Sequence, residues 1–203
     1  MDMDIIKQGL DDLADRDPHV ATGLDLVGYP EPRIRPHGFH TLMRIIVGQQ
    51  VSVHAAAAII GRVEALMPEV TAEAFLELEE DALRGAGLSR RKVEYSIGLA
   101  QAVVGGDLHL DRFPAMSDEE VIAELSALRG IGRWTAEIYA MFSLGRPDVF
   151  PADDLALQEG LKRLKKLDAR PTPKVARGIV EDWSPWRSVG SLFLWHYYKG
   201  APE

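Results

Sequence analysis

Residues 128–157 read LRGIGRWTAEIYAMFSLGRPDVFPADDLAL, and the fold turns on that stretch. It opens on Gly130-Ile131-Gly132, two glycines around one aliphatic residue. Glycine tolerates positive φ, so the pair suits a tight turn. A helical pattern follows from Trp134 to Phe142. Turn amides and the helix N-terminus then point the same way, which makes a site for an anion such as phosphate. Some twenty residues on, Asp153 and Asp154 stand at the start of another helix. The stretch reads as a phosphate grip joined to a carboxylate.

Working outward, each flank is helical. Ser117-Asp-Glu-Glu120 fits a capping box and starts a helix reaching about Leu125. Asp154–Leu167 is expected as a helix with Leu155, Leu161 and Leu164 on its apolar side. Thr172-Pro173 and Ser184-Pro185 each read as helix starts with proline at the first helical position. Toward the N-terminus, Ser89 caps a helix through Val103, with Arg90, Arg91 and Lys92 in its first turn. Those cations oppose the helix dipole. They read as solvated surface charge or as contacts to a DNA strand.

Thr71–Arg84 predicts one or two short helices. Ser52 caps an alanine-rich helix to about Met67, and Phe39, Leu42, Met43 and Ile46 recur at helical spacing before Gly48-Gln49-Gln50-Val51. Residues 17–37 hold Pro18, Pro30, Pro32 and Pro36 and read as an irregular connector. Ile5, Ile6, Leu10 and Leu13 mark a first amphipathic helix. Strand alternation is nowhere sustained. The expectation is an all-α protein of about ten short helices, without repeats.

Composition narrows the function. The 203 residues suit one globular unit or two small ones, and 46% are hydrophobic. No apolar run is long enough for a membrane span, and the acidic start MDMDIIKQGLDD does not resemble a signal peptide. Cysteine is absent, which fits a reducing cytoplasm and excludes disulfides and cysteine-held metals. The six histidines are scattered without metal spacing. His54 reads as packing or solvent contact. The net charge of −8 weighs against nucleic acid, but it is uneven. Residues 1–80 carry the whole −8, and residues 81–203 are neutral with local basic runs. Such a half can still grip phosphates.

Leu128-x-Gly-Ile-Gly132-x-x-Thr135-Ala136, followed by Pro151-x-Asp-Asp154, resembles the helix-hairpin-helix–Gly/Pro–Asp DNA glycosylases. Within them it is most similar to the alkylation-repair branch of DNA-3-methyladenine glycosylase II. Gly48-Gln49-x-Val51-Ser52-Val53, Asp148-Val-Phe150, Trp183-x-Pro-Trp-Arg-Ser188 and Trp195 extend the likeness over roughly residues 38–200. The resemblance implies a two-lobed helical fold with a DNA groove between the lobes. Residues 38–146 would form a barrel lobe ending in the hairpin, and 1–37 with 147–203 a second lobe carrying the catalytic acid. The N-terminal domain of longer family members is expected to be missing.

By that resemblance Asp154 is the catalytic carboxylate. On its residues alone, Asp154 also suits a helix N-cap, and the neighbouring acids allow a division in which Asp153 caps. Negative charge beside the oxocarbenium ion formed on cleaving an N-glycosidic bond lowers the barrier. Trp134 and Trp195 would line the base pocket, where an aromatic face attracts an alkylated, cationic purine. Either also suits a core. Trp183 and Trp186 are assigned to packing. In the strand-cutting branch of the family a lysine stands at the position of Trp134. An indole cannot form a Schiff base, so a monofunctional enzyme is expected, with no lyase activity.

Gly130, Gly132 and Thr135 would offer amides to phosphate. The carbonyls of Ser126, Leu128 and Ile131 would hold a structural sodium or potassium ion, with no cofactor needed for catalysis. Gln49, Gln50 and Val51 match the wedge loop that fills the gap left by a flipped base. Arg187 could reach a phosphate or pair with an acid. The function implied is removal of alkylated purines, 3-methyladenine first, from double-stranded DNA by a cytoplasmic monomer. The rival is a non-catalytic helix-hairpin-helix protein that binds DNA or abasic sites.

Overall fold

The structure is a computed structural model that describes residues 1–201. The regular structure of the described residues is all helical, without strands. The first six helices are α1 (Met3–Arg16), α2 (Pro18–Val27), α3 (Phe39–Gly48), α4 (Val53–Glu64), α5 (Ala72–Leu76) and α6 (Glu80–Gly85). Then come α7 (Arg90–Val104), α8 (Asp118–Ala127), α9 (Arg133–Phe142), α10 (Leu155–Lys165), α11 (Pro173–Ile179) and α12 (Arg187–Gly200). Short 3₁₀ turns cover Leu110–Ala115 and Glu181–Trp183. No helix among the described residues is long and apolar enough to cross a membrane.

Local chemistry sets most of the helix starts. The Ser52, Ser89 and Thr172 side chains accept the amides of Ala55, Lys92 and Val175. Each satisfies one of the amides that a first turn leaves without an intrahelical acceptor. Ser117 and Glu120 form the expected reciprocal capping box.

Three readings are corrected. Residues 18–27 are not an irregular connector but α2, because Asp17 caps it and Pro18 occupies its first turn, where a missing N–H costs nothing. The last helix starts at Arg187, not at Ser184-Pro185, because the Ser184 hydroxyl donates to Asp148 (2.8 Å) instead of capping. Leu155 is exposed, and the apolar side of α10 is Leu157, Leu161 and Leu164.

The chain forms two compact units. One contains Met1–Ile34 and the chain from Glu137 onward; the other is Arg35–Ala136. The division falls inside α9 and before Arg35, whereas the sequence reading put it after residues 146 and 37. Physically, the second half of α9 belongs with the C-terminal helices. Glu137 is buried and pairs with Arg177 (3.1 Å), and the Phe142 ring lies 5.9 Å from that of Trp195. In the first unit α12 packs on α10, α1 and α2. Residues Ser188–Trp195 are buried on every side, which makes α12 its central helix. In the second unit α7 packs against α3, α5 and α6, around Leu42, Met43, Ile46, Phe75 and Leu83.

Candidate active site and nucleic-acid interface

In the first unit the acid of interest is built into a helix start. Asp154 is itself the N-cap of α10, and its Oδ1 accepts the Leu157 amide at 2.9 Å. Asp153 is exposed. The division of labour allowed by the sequence, with Asp153 capping, is therefore corrected, because one carboxylate fills the cap and faces Trp195. The same Oδ1 accepts the Trp195 indole N–H at 3.1 Å. A hydrogen bond to an ionised acceptor is stronger than a neutral one and fixes the carboxylate rotamer. The helix N-terminus also favours negative charge there.

Forty-one residues separate Asp154 from Trp195. They meet because Gly160 lets α10 lie against α12. A Cβ at Gly160 would stand 2.8 Å from the Leu194 carbonyl oxygen. Trp195 is 9% exposed, and its ring keeps Phe142 on one side.

The loop before Asp154 is held from three helices. Arg177 of α11 donates to the Phe150 carbonyl (2.9 Å) and to Glu137 of α9 (3.1 Å). Gln158, one turn into α10, donates back to the Ala152 carbonyl (2.8 Å). Upstream, Asp148 receives two guanidinium N–H groups of Arg187 at 2.8 and 2.6 Å, and the Ser184 hydroxyl. Burial pushes the Asp148 carboxyl up, but these donors outweigh it and hold it below the usual range. Of the two roles open to Arg187 in the sequence, the structure shows the ion pair. Trp183 is buried and donates to Asp17, as a packing residue should.

The second unit carries the hairpin: α8, the turn 128–132, and the start of α9. Only Gly130 uses positive φ (+92°). A Cβ on it would lie 2.4 Å from the Tyr95 ring. Gly132 takes ordinary φ, and a Cβ there would meet nothing within 4 Å. The sequence reading gave both glycines the same conformational reason, and it holds for Gly130 alone. The bare backbone at Gly132 leaves open surface where α9 begins. The Thr135 side chain is buried in the first turn of α9, while Ile131 is buried beneath the hairpin. Trp134 is 42% exposed, so it is not a core residue.

Gln49 is partly buried, and its amide donates to the Gly130 carbonyl at 2.8 Å, which ties the 49–51 turn to the hairpin. Gln50 is exposed, with φ +55°, and Val51 and Val53 are exposed beside it. Lys92 is not a free cation for DNA. Its Nζ donates to the Val47 carbonyl at the end of α3 (2.7 Å), and burial pushes its ammonium down. Arg90, Arg91 and His54 are exposed.

The carbonyl oxygens of Ser126, Leu128 and Ile131 are hard, neutral donors of the kind an alkali ion takes. The Leu128 carbonyl already accepts the Ile131 amide (3.1 Å) and keeps a second lone pair. This donor set fits a monovalent cation. The described residues hold no cluster of acidic or histidine side chains that could hold a metal ion.

The two hairpin glycines can be separated by experiment. Gly130→Ala is expected to lose about 2–4 kcal/mol of stability, from left-handed backbone strain and the Tyr95 clash. Gly132→Ala should stay within about 0.5 kcal/mol of wild type, as surface changes usually do, yet weaken duplex binding. Urea unfolding and DNA titration of both variants check this.

A helical fold with a helix-hairpin-helix, followed by a helix-capping, tryptophan-bound aspartate, defines a class of DNA repair proteins. The chain belongs to the HhH-GPD superfamily of base excision DNA repair proteins, whose family profile matches residues 43–185. A Bacillus subtilis relative with the provisional name DNA-3-methyladenine glycosylase YfjP is 34% identical over 77% of this chain. The chain spans 58% of that relative's length. Among solved structures, the DNA-3-methyladenine glycosidase of Bacillus halodurans superposes with a TM-score of 0.84 at 35% identity, over 91% of this chain and 86% of that one. The Schizosaccharomyces pombe 3-methyladenine DNA glycosylase in complex with abasic DNA gives 0.82 at 30% identity, over 93% and 95%.

Proposed function

We propose that this protein is a monofunctional DNA glycosylase that hydrolyses the N-glycosidic bond of alkylated purines, with 3-methyladenine the leading substrate. The observation that carries the reading is the Asp154–Trp195 pair: a half-buried carboxylate held at a helix start by an amide and an indole N–H. Water adds to the sugar carbon, the carbon–nitrogen bond breaks, the bonding pair leaves with the base, and the added water releases one proton to solvent. Positive charge develops on the sugar as the bond lengthens. Asp154 stabilises that charge and orients the water. A base alkylated at N3 or N7 is already a good leaving group, so little acid catalysis is needed. Trp195 supplies an aromatic face for the base.

In this reading the hairpin holds the DNA backbone through the amides of Gly130, Gly132 and Thr135. The carbonyls of Ser126, Leu128 and Ile131 would hold a sodium or potassium ion that bridges to phosphate. Gln50, raised on the Gln49–Val51 turn, enters the duplex as the damaged base leaves it. The partner in this reading is double-stranded DNA with a damaged base; the abasic-DNA complex of the S. pombe relative supports the DNA part of it. The protein acts as a monomer in a bacterial-type cytoplasm.

The test is a methylated duplex incubated with the wild-type protein. Free 3-methyladenine and an intact strand bearing an abasic site are expected, with no adduct trapped by borohydride, because Trp134 offers no amine. Absence of base release would favour the non-catalytic DNA-binding alternative. A trapped adduct would overturn the hydrolytic step.

A further inference from the structure

Above the aromatic pair beside Asp154 stands a cation. The Arg33 guanidinium lies 5.8 Å from the Trp195 ring centre and 5.9 Å from that of Phe142. The two rings are themselves 5.9 Å apart, so the three groups form a nearly equilateral cluster. Arg33 is exposed, in the irregular stretch after α2. The indole nitrogen of the same Trp195 donates to Asp154. The face that Arg33 approaches therefore belongs to the ring whose edge holds Asp154.

We propose that Arg33 is a specificity-determining residue that sets the charge preference of the base site, a role that rests on the proposed glycosylase function. An aromatic face draws in a cation through its quadrupole. Here that attraction is already engaged by the Arg33 guanidinium. A positively charged alkylpurine meets like charge at this face, which raises the free energy of binding. A neutral lesion meets no such repulsion. Its planar base stacks on the guanidinium plane, and a ring carbonyl such as that of hypoxanthine accepts a guanidinium N–H. Arg33 thus narrows the advantage of cationic lesions, whose bonds break readily without help, and widens the range toward neutral ones.

The experiment compares kcat/KM on duplexes carrying 7-methylguanine, which is cationic, and hypoxanthine, which is neutral. Wild type, Arg33→Gln and Arg33→Lys are measured in parallel. Arg33→Gln should raise the 7-methylguanine to hypoxanthine ratio by about tenfold, and Arg33→Lys should stay near wild type because it keeps the charge. The same ratio is read from binding of both duplexes in the Asp154→Asn background, which needs no turnover. An unchanged ratio in Arg33→Gln, or an equal loss on both duplexes, would overturn the proposal and make Arg33 a backbone contact. If wild type releases neither base while the binding ratio still shifts, the glycosylase reading fails and the charge preference stands.

Discussion

Asp154→Asn is expected to fold and to bind lesion duplex like wild type while base release falls roughly 100- to 1000-fold, the scale set by removing one preorganised group that stabilises transition-state charge. The substitution is unusually clean here. Both bonds to Oδ1, from the Leu157 amide and the Trp195 indole, are accepted by an oxygen that asparagine keeps. Asparagine also caps helices about as well as aspartate. The negative charge is lost, and an NH2 donor stands where the second carboxylate oxygen was. Asp154→Ala removes the cap as well, at about 1 kcal/mol, so it confounds catalysis with stability. Single-turnover release of 3-methyladenine, paired with urea unfolding of each variant, separates the two. Equal release by wild type and Asp154→Asn would mean that the carboxylate is a cap and nothing more.

That double use of Asp154 marks where sequence reading stops. Ser52, Ser89, Ser117 and Thr172 were legible as caps because the partner amide lies within three residues. Local signals of this kind also located the hairpin. They failed where two local signals compete. Asp17-Pro18 reads as a break if prolines are counted and as a helix start if the cap is weighed, and the cap won. Ser184 precedes a proline but spends its hydroxyl on Asp148. Between Asp153 and Asp154 the sequence allowed two arrangements. The choice follows from Trp195, which only the packing of α10 on α12 brings near. The remaining site geometry is of the same long-range kind. Arg177 reaching Glu137 and Phe150, Gln49 reaching Gly130, and Arg33 reaching Trp195 leave no periodic or capping signature. The sequence did carry the residue types: a glutamate within the apolar face of α9 demands a buried partner, and that signal could have found Arg177.

Asp17→Ala is expected to cost about 3–5 kcal/mol at neutral pH, which is the loss seen when one member of a buried ion pair is removed. Asp17 is 8% exposed and serves three groups at once. It pairs with Lys165 of α10, accepts the Trp183 indole N–H at 2.8 Å, and caps α2 through the His19 amide at 3.1 Å. Alanine leaves all three donors unmet. Asp17→Asn keeps a capping oxygen and an acceptor, so it should cost less, with most of its loss due to the stranded Lys165 ammonium. Asp17→Asn combined with Lys165→Met should then recover part of that loss, since the buried charge is gone from both sides. The pH dependence follows from the same contacts. Burial pushes the Asp17 carboxyl up, but Lys165, Trp183 and the His19 amide together outweigh it and lower it below its ordinary value. The folded state therefore holds the proton less tightly than the unfolded chain. The stabilisation is complete above the unfolded carboxyl's range, near pH 4, and is lost as pH falls through the folded value. Urea midpoints measured from pH 7 down to pH 3 should fall less steeply for Asp17→Asn than for wild type. The residual slope in that variant reports the other lowered carboxyls: Asp148 with Arg187 and Ser184, Glu64 with His40 and Arg44, and Glu120 with Ser117. Parallel wild-type and variant slopes would show that the Asp17 cluster is already broken in the folded protein and that acid sensitivity arises elsewhere.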